Sequence, residues 1–285
     1  MNNMKRALGI SINGVRRWSG NPRIYCIAIL IFLFLYTILE PIKQFSLEIE
    51  IPATLWFFPF ITADWYALMV IMMGVILLFC DAPFINREQP YIILRSGRSV
   101  WVVSQFLYIL LASTIYLLFI MFISIVSFFP NMHVTSDWGK IINTFSQTQI
   151  QREYNIVIAF SRAITVYHSP INALLLSGLL CWLIFIFLGL LIFFLNSCFE
   201  KYNVGFIAAS ILVMLEVLAL NASGYQLTYY SPISWASLAI IDIKGSSQYP
   251  SLTYVFLFLV FAIILLIFLS LRNYDNKDIN ISKPI

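Results

Sequence analysis

Charge is scarce in this chain. Of its 285 residues only 11% are Asp, Glu, Lys or Arg, and two are histidine. Soluble domains carry about 25% charged and about 45–50% apolar residues. Here the hydrophobic share is 61% and the mean hydropathy +0.88. A chain of this length has too little interior to hide so much apolar side chain from water, so the missing solvent is lipid. Glycine and proline number 11 each, too few for a collagen-like or low-complexity chain. The low charge also argues against disorder.

Reactive constellations are missing as well. The two histidines, His133 and His168, cannot supply the H-E-x-x-H of a zinc protease. They stand 35 residues apart with no third ligand, so no metal site is assigned. A G-x-S-x-G nucleophile elbow is absent, as are a Walker A sequence, the H-x4-D spacing of acyltransferases and a pair of acids within one span. No catalytic residue and no cofactor is expected in the chain itself. The four cysteines carry no metal spacing. Cys26, Cys80 and Cys198 fall at the inner ends of apolar stretches and Cys181 inside one, so reduced thiols are expected. No small-residue cleavage site follows the first apolar run, so that run is expected to be its own insertion signal.

What the chain does have is six apolar stretches, at 24–39, 66–80, 100–129, 171–195, 204–220 and 252–271. A helix rises about 1.5 Å per residue, and the roughly 30 Å bilayer core needs about 20 apolar residues. The third, fourth and sixth stretches reach that length. The first, second and fifth are short, but apolar flanks such as residues 55–61 predict extension or re-entrant turns. The expected fold is an all-α membrane protein with six transmembrane helices in a single domain, 1–285. Basic residues favour the cytoplasmic side. With the N-terminus inside, 12 of the 17 lysines and arginines lie on that side and 5 outside. Both termini are therefore expected on the cytoplasmic side. The surplus of basic charge needs anionic lipid, not nucleic acid, as its partner.

The pieces between the spans carry further signals. Met4, Leu8, Ile12, Val15 and Trp18 recur on one helical face, with Lys5, Arg6, Arg16 and Arg17 largely elsewhere. Residues 1–20 therefore read as a basic amphipathic helix in the membrane interface, the alternative being a disordered basic leader. Gly20-Asn21-Pro22 ends it. The loop 81–99 opens with Asp81, a capping residue, and Pro83. It carries Phe84, Ile85, Tyr91, Ile92, Ile93 and Leu94 beside Arg87, Glu88, Arg95 and Arg98, an apolar knob with a charged rim. Such a knob suits docking to a cytosolic partner; a helix packed on the lipid interface is the plainer alternative. The long outer loop 130–170 is expected to hold surface helices, one capped by Ser136 with Ile141, Ile142 and Phe145 as its stripe. The segment 221–250, with Tyr229, Tyr230, Pro232 and Trp235, reads as a re-entrant or interfacial helix. One acid, Glu216, lies inside a span, where ionisable groups are costly and are candidates for function. A hydrogen-bonded structural role is its alternative.

Together these parts resemble the membrane subunit of an ABC transporter of the type-2 permease class, Gram-positive bacterial type. Residues 4–18 match its connecting helix, 81–98 its coupling helix, and 231–235 the start of its outer elements. The long loop after span three departs from that pattern. The resemblance implies a second permease subunit, identical or different, and a separate cytosolic ABC ATPase that supplies ATP and Mg chemistry. Phe84, Glu88, Tyr91 and Arg95 would couple to the ATPase, while Glu216, Ser104 and Gln105 would line the transport path. The implied function is export of an amphipathic or hydrophobic substrate: a peptide, an antibiotic or a lipid. Two other classes stand beside it. One is a peptide-binding membrane sensor or immunity protein without an ATPase; the other is a membrane-embedded enzyme.

Overall fold

The computed structural model describes residues 2–84, 89–148, 150–199, 203–221, 225–243, 245 and 248–275. Among them the regular structure is helical, and pairing between extended segments is limited to two isolated bridges. α1 spans Asn2–Arg16, α2 Pro22–Glu48, α3 Phe58–Ala63, α4 Trp65–Phe79, α5 Gln89–Ser96 and α6 Arg98–Val126. α7 spans Gly139–Gln147, α8 Arg162–Tyr167, α9 Pro170–Cys198, α10 Val204–Asn221 and α11 Leu252–Asp275.

Five of these, α2, α6, α9, α10 and α11, are long and apolar enough to cross a membrane. This is a multi-pass helical membrane architecture. α4 is the exception to the six-span expectation: its 15 residues make a helix of about 22 Å, short of the bilayer core. The break comes from Asp64, whose extended backbone and side chain, accepting from the Ala67 N–H at 2.9 Å, cap α4 and separate it from the short α3. The apolar residues ahead of it are not lost to the fold, because Phe58, Pro59, Phe60, Ile61 and Thr62 of α3 are all buried. In the opposite sense, α2 runs nine residues beyond its hydropathy limit, to Glu48. Lys43, Gln44 and Glu48 are good helix formers that hydropathy discounts.

The long helices alternate in direction. The start of α2 meets the end of α4 where Arg23 pairs with Asp81. The end of α9 meets the start of α10 through Asn196, and Ser197 lies 3.0 Å from the Tyr274 hydroxyl near the end of α11. These contacts share one end with α1 and α5, here called the basic end. α9 is the central helix. Of its most apolar stretch 67% is buried, against 17% for α11, and it packs on α4, α6, α10 and α11. Lipid tails are as apolar as leucine, so contact packing and buried hydrogen bonds hold such helices together. Tyr116 on α6 donates to the Ile71 carbonyl of α4 at 2.9 Å, and Trp182 on α9 donates to Thr114 on α6 at 2.9 Å.

The other end is closed by rings. Phe45 of α2, Phe57, Phe60 of α3, Phe128, Trp138, Phe145 of α7 and Phe160 are buried and form a chain of ring contacts 4.3–6.1 Å between centroids. Backbone bonds tie residue 53 to 131 and 133, and Trp56 donates to the Thr135 carbonyl at 2.9 Å. The loop 130–170 thus folds into a cap with α7 and α8. α7 begins at Gly139 without a side-chain cap, not at Asp137 under Ser136, because Ser136 and Asp137 lie in a bend ahead of it. Trp235, Ile233 and Ser234 of the later segment are fully buried against this end, with a short turn at Ser234–Ala236 in place of a longer helix.

Candidate functional site

The amphipathic N-terminal segment forms α1, and it packs on the bundle through a face that the sequence reading did not single out. Small residues make the contact: Ala7 and Ser11 are buried against α6, and a Cβ on Gly14 would sit 2.8 Å from the Tyr108 ring. Spacings of four and three put these residues on one stripe that lets the backbones approach. The large apolar stripe lies beside it and points outward, with Met4, Leu8 and Ile12 exposed. Trp18 then anchors the end of the segment, its indole N–H donating to the Tyr108 hydroxyl at 2.9 Å.

Below that anchor the chain leaves a cavity of about 450 Å³. α1 contributes Asn13 and Gly14, the start of α2 contributes Arg23, the turn after α4 contributes Asp81 and Phe84, and α6 contributes Ser104, Gln105 and Tyr108. Arg23 ties α2 to α4 by bridging to the Asp81 carboxylate and by donating to Cys80 Sγ at 2.9 Å. Phe84 holds a left-handed backbone (φ 52°), uncommon for a bulky residue. Its ring packs edge-on against Tyr108, 4.6 Å between centroids. Ser104 is fully buried and donates back to the Trp101 carbonyl at 2.6 Å.

α5 lies against α6 and splits its residues between two faces. Ile92 and Ile93 turn inward and pack on the core, Ile92 at the cavity wall. Tyr91 and Leu94 turn outward with 76% and 71% exposure, and Arg95 is exposed beside them. Of the residues singled out in the sequence, Phe84, Ser104 and Gln105 therefore come together in one cavity. Tyr91 and Arg95 stand on its outer wall, and Glu88 lies outside the described residues.

Glu216 sits elsewhere, on α10 facing α4 and far from the cavity in the chain's vertical order. It is fully buried, and neither carboxylate oxygen has a hydrogen-bond partner. Asp64 at the start of α4 is close enough to act on it electrostatically. The proximity of a lone carboxyl to an N-cap acid on another helix had no sequence signal. Asn196 is the other residue that sequence reasoning missed. Its amide donates to the Ala82 carbonyl at 2.8 Å and its oxygen accepts from the Gly205 N–H at 2.8 Å, so one side chain joins α4, α9 and α10. The close approach at Gly205, where a Cβ would lie 2.6 Å from the Ile192 carbonyl, makes that bond possible. Near the cap, Tyr225, Gln226, Tyr229, Tyr230 and Gln248 line an open groove of about 420 Å³.

Among the described residues no three His, Cys, Asp or Glu side chains stand together as a metal site, and none of the four cysteines is in a disulfide. Comparison with protein-family models, curated protein sequences and solved structures finds no match to this chain.

Proposed function

We propose that the chain is the transmembrane permease subunit of an ATP-driven exporter of the ABC type-2 class, working with a second permease subunit and a separate cytosolic ATPase. In this reading α4 counts as the sixth span, both termini face the cytosol, and the membrane is that of a bacterial cell. The observation that carries it is the division of α5: Ile92 and Ile93 are fixed to the body while Tyr91, Leu94 and Arg95 are left uncovered by the rest of the chain. A helix needed only for topology would require the arginines but not this tyrosine and leucine; packing on the lipid interface is the plainer use of the same face. A partner groove covering them would gain apolar burial of about 25 cal/mol per Å². Movement of α5 would reach α6 directly and α4 through the turn at Asp81, so closure of an ATPase dimer beneath would bias the bundle between two arrangements. Glu88 belongs to the same contact. Ser104 and Gln105 would meet a substrate on the cytosolic side, and Glu216 would lie farther along the path. The aromatic and aliphatic walls suit an amphipathic peptide, a hydrophobic antibiotic or a lipid.

The test is to isolate the chain in mild detergent, look for an ABC ATPase among the proteins that co-purify with it, and measure hydrolysis of MgATP by the complex. Tyr91→Ala with Arg95→Ala should weaken the complex or uncouple hydrolysis from substrate by about tenfold or more. Full coupling in that double variant overturns the assignment of α5. A peptide-binding sensor without an ATPase draws on the tyrosine and glutamine groove at the capped end; it predicts peptide binding by the chain alone, lost in Tyr229→Ala.

A further inference from the structure

Glu216 is a buried acid that no described residue neutralises. On α10 the buried residues Gly205, Ala209, Val213 and Glu216 recur at spacings of four, four and three, while Ile207, Ile211, Met214 and Leu218 are exposed on the opposite face. The carboxyl therefore continues the stripe that faces the bundle and cannot reach water along the lipid face. Both of its oxygens are enclosed without a hydrogen-bond donor. The titratable groups on the elements packed against α10 are Asp64 and Tyr66 at the start of α4, Cys181 and Cys198 on α9, and Tyr225 and Tyr229 in the turn that follows α10. None is a base: α4, α9, α10 and residues 225–236 carry no lysine, arginine or histidine. Asp64 is itself buried and acts on Glu216 as a like charge. Burial opposes the charge of Asp64, but the backbone N–H groups of Ala67, Ala159 and Tyr66 donate to it, and such bonds favour the ionised form. Asp64 is thus the fixed anion of the two, and Glu216 the acid without support for its charge.

We propose that Glu216 is a proton-binding site, and that the bound proton holds the end of α10 against α4. An unpaired carboxylate in such a place costs far more than the neutral acid, and the Asp64 charge beside it adds to the cost. One proton taken from water resides on Glu216, which leaves a single negative charge on the pair. Its return to water sets two like charges against each other across the contact between α4 and α10. α10 is the element able to respond. It brings no ring to the aromatic chain of the capped end, its one aromatic residue being Phe206 near its start, whereas Asp64 is tied to the cap through the Ala159 N–H. The site is a proton-dependent latch on one helix, and it depends on no ATPase. Ser231 and Ser237 flank the turn Ser234–Ala236 that packs on α10, and their buried hydroxyls also lack partners. Those oxygens make a sodium ion the rival occupant.

Infrared difference spectroscopy of the full chain in lipid discs, from about pH 6 to about pH 10, tests it. Near neutral pH the parent chain should show the C=O band of a protonated carboxylic acid that Glu216→Gln lacks, and the band should vanish as the pH rises. In Asp64→Asn, which keeps an oxygen to cap α4, that band should vanish at a pH lower by about one unit or more, because the like charge is gone. The unfolding midpoint of the parent should fall across the alkaline range relative to that of Glu216→Gln, whose neutral amide stands for the protonated acid at every pH. The folded chain keeps a proton there that the unfolded chain has already released, so stability falls as pH rises. Absence of a Glu216-dependent acid band at about pH 7, or the same pH of loss in Asp64→Asn, overturns the site. Midpoints that change in parallel in the parent and in Glu216→Gln overturn the latch. Loss of the band when sodium replaces potassium at constant pH would make this a sodium site and overturn the proton assignment.

Discussion

The two ends of the bundle are built from different materials. At the capped end seven aromatic side chains from four separate segments pack into one another, and the backbone links add to them. At the basic end the helices are joined by single polar contacts, Arg23 to Asp81, Trp18 to Tyr108 and Asn196 to its two backbone partners, around an open cavity. Ring packing is dense and cooperative; it resists motion because every displacement opens a void. Separate hydrogen bonds can be exchanged one at a time. The contrast assigns rigidity to one end and adjustability to the other, which is the arrangement the proposed lever at α5 would require.

The largest break in this contrast comes from the rigid end. Phe57 is fully buried and stacked on Phe128 at 4.3 Å, so Phe57→Ala should cost about 3–5 kcal/mol, seen as a lower unfolding midpoint in micelles. Asn196→Ala at the adjustable end should cost about 1–3 kcal/mol, because two buried backbone groups lose their partner. Hydrogen exchange should then rise at the start of α10 while the cap stays protected; a cap that loosens equally would dissolve the distinction between the ends. Glu216→Met should act in the other direction. It removes a buried carboxyl without a partner and should stabilise the isolated chain by about 1–3 kcal/mol. A loss of stability instead would mean that the carboxyl is partnered in the membrane.

The smallest effect concerns pH. Burial pulls the His168 imidazole below its ordinary value of 6.5, and its carbonyl accepts from the Trp138 indole at 3.1 Å. The folded cap therefore prefers the neutral ring. That preference is fully present above the unfolded value and is lost as pH falls through the lowered folded one. Amide protection factors in α7 and α8, taken relative to the intrinsic exchange rate at each pH, should fall on going from about pH 7 to about pH 5, less so in His168→Phe.

Hydropathy made the long helices legible, because a run of lipid-compatible residues has few other uses. It misjudged their ends wherever polar helix formers or a capping acid changed the outcome. Glu40 ended the first apolar stretch on paper, yet α2 continues to Glu48; Asp64 lies in a stretch that reads as nearly continuous, yet it divides α3 from α4. For the candidate site, the knob at Tyr91 and Leu94 was legible from its excess of apolar side chain in a charged loop. The cavity was not. Ser104 and Gln105 are recognisable as polar residues in a span, but their meeting with Asn13, Arg23 and Asp81 depends on α1 folding back along α6 through Ala7, Ser11 and Gly14. Small residues leave no hydrophobic signal. Asn196 was silent for a related reason, since one asparagine at a helix end has many common explanations.

That small-residue contact has a mechanical consequence. α1 is fastened to α6 with no slack at Gly14, while Met4, Leu8 and Ile12 stand out from the bundle. A load on those three side chains would pass to α6 with no soft layer between, and α6 is also the helix on which α5 packs.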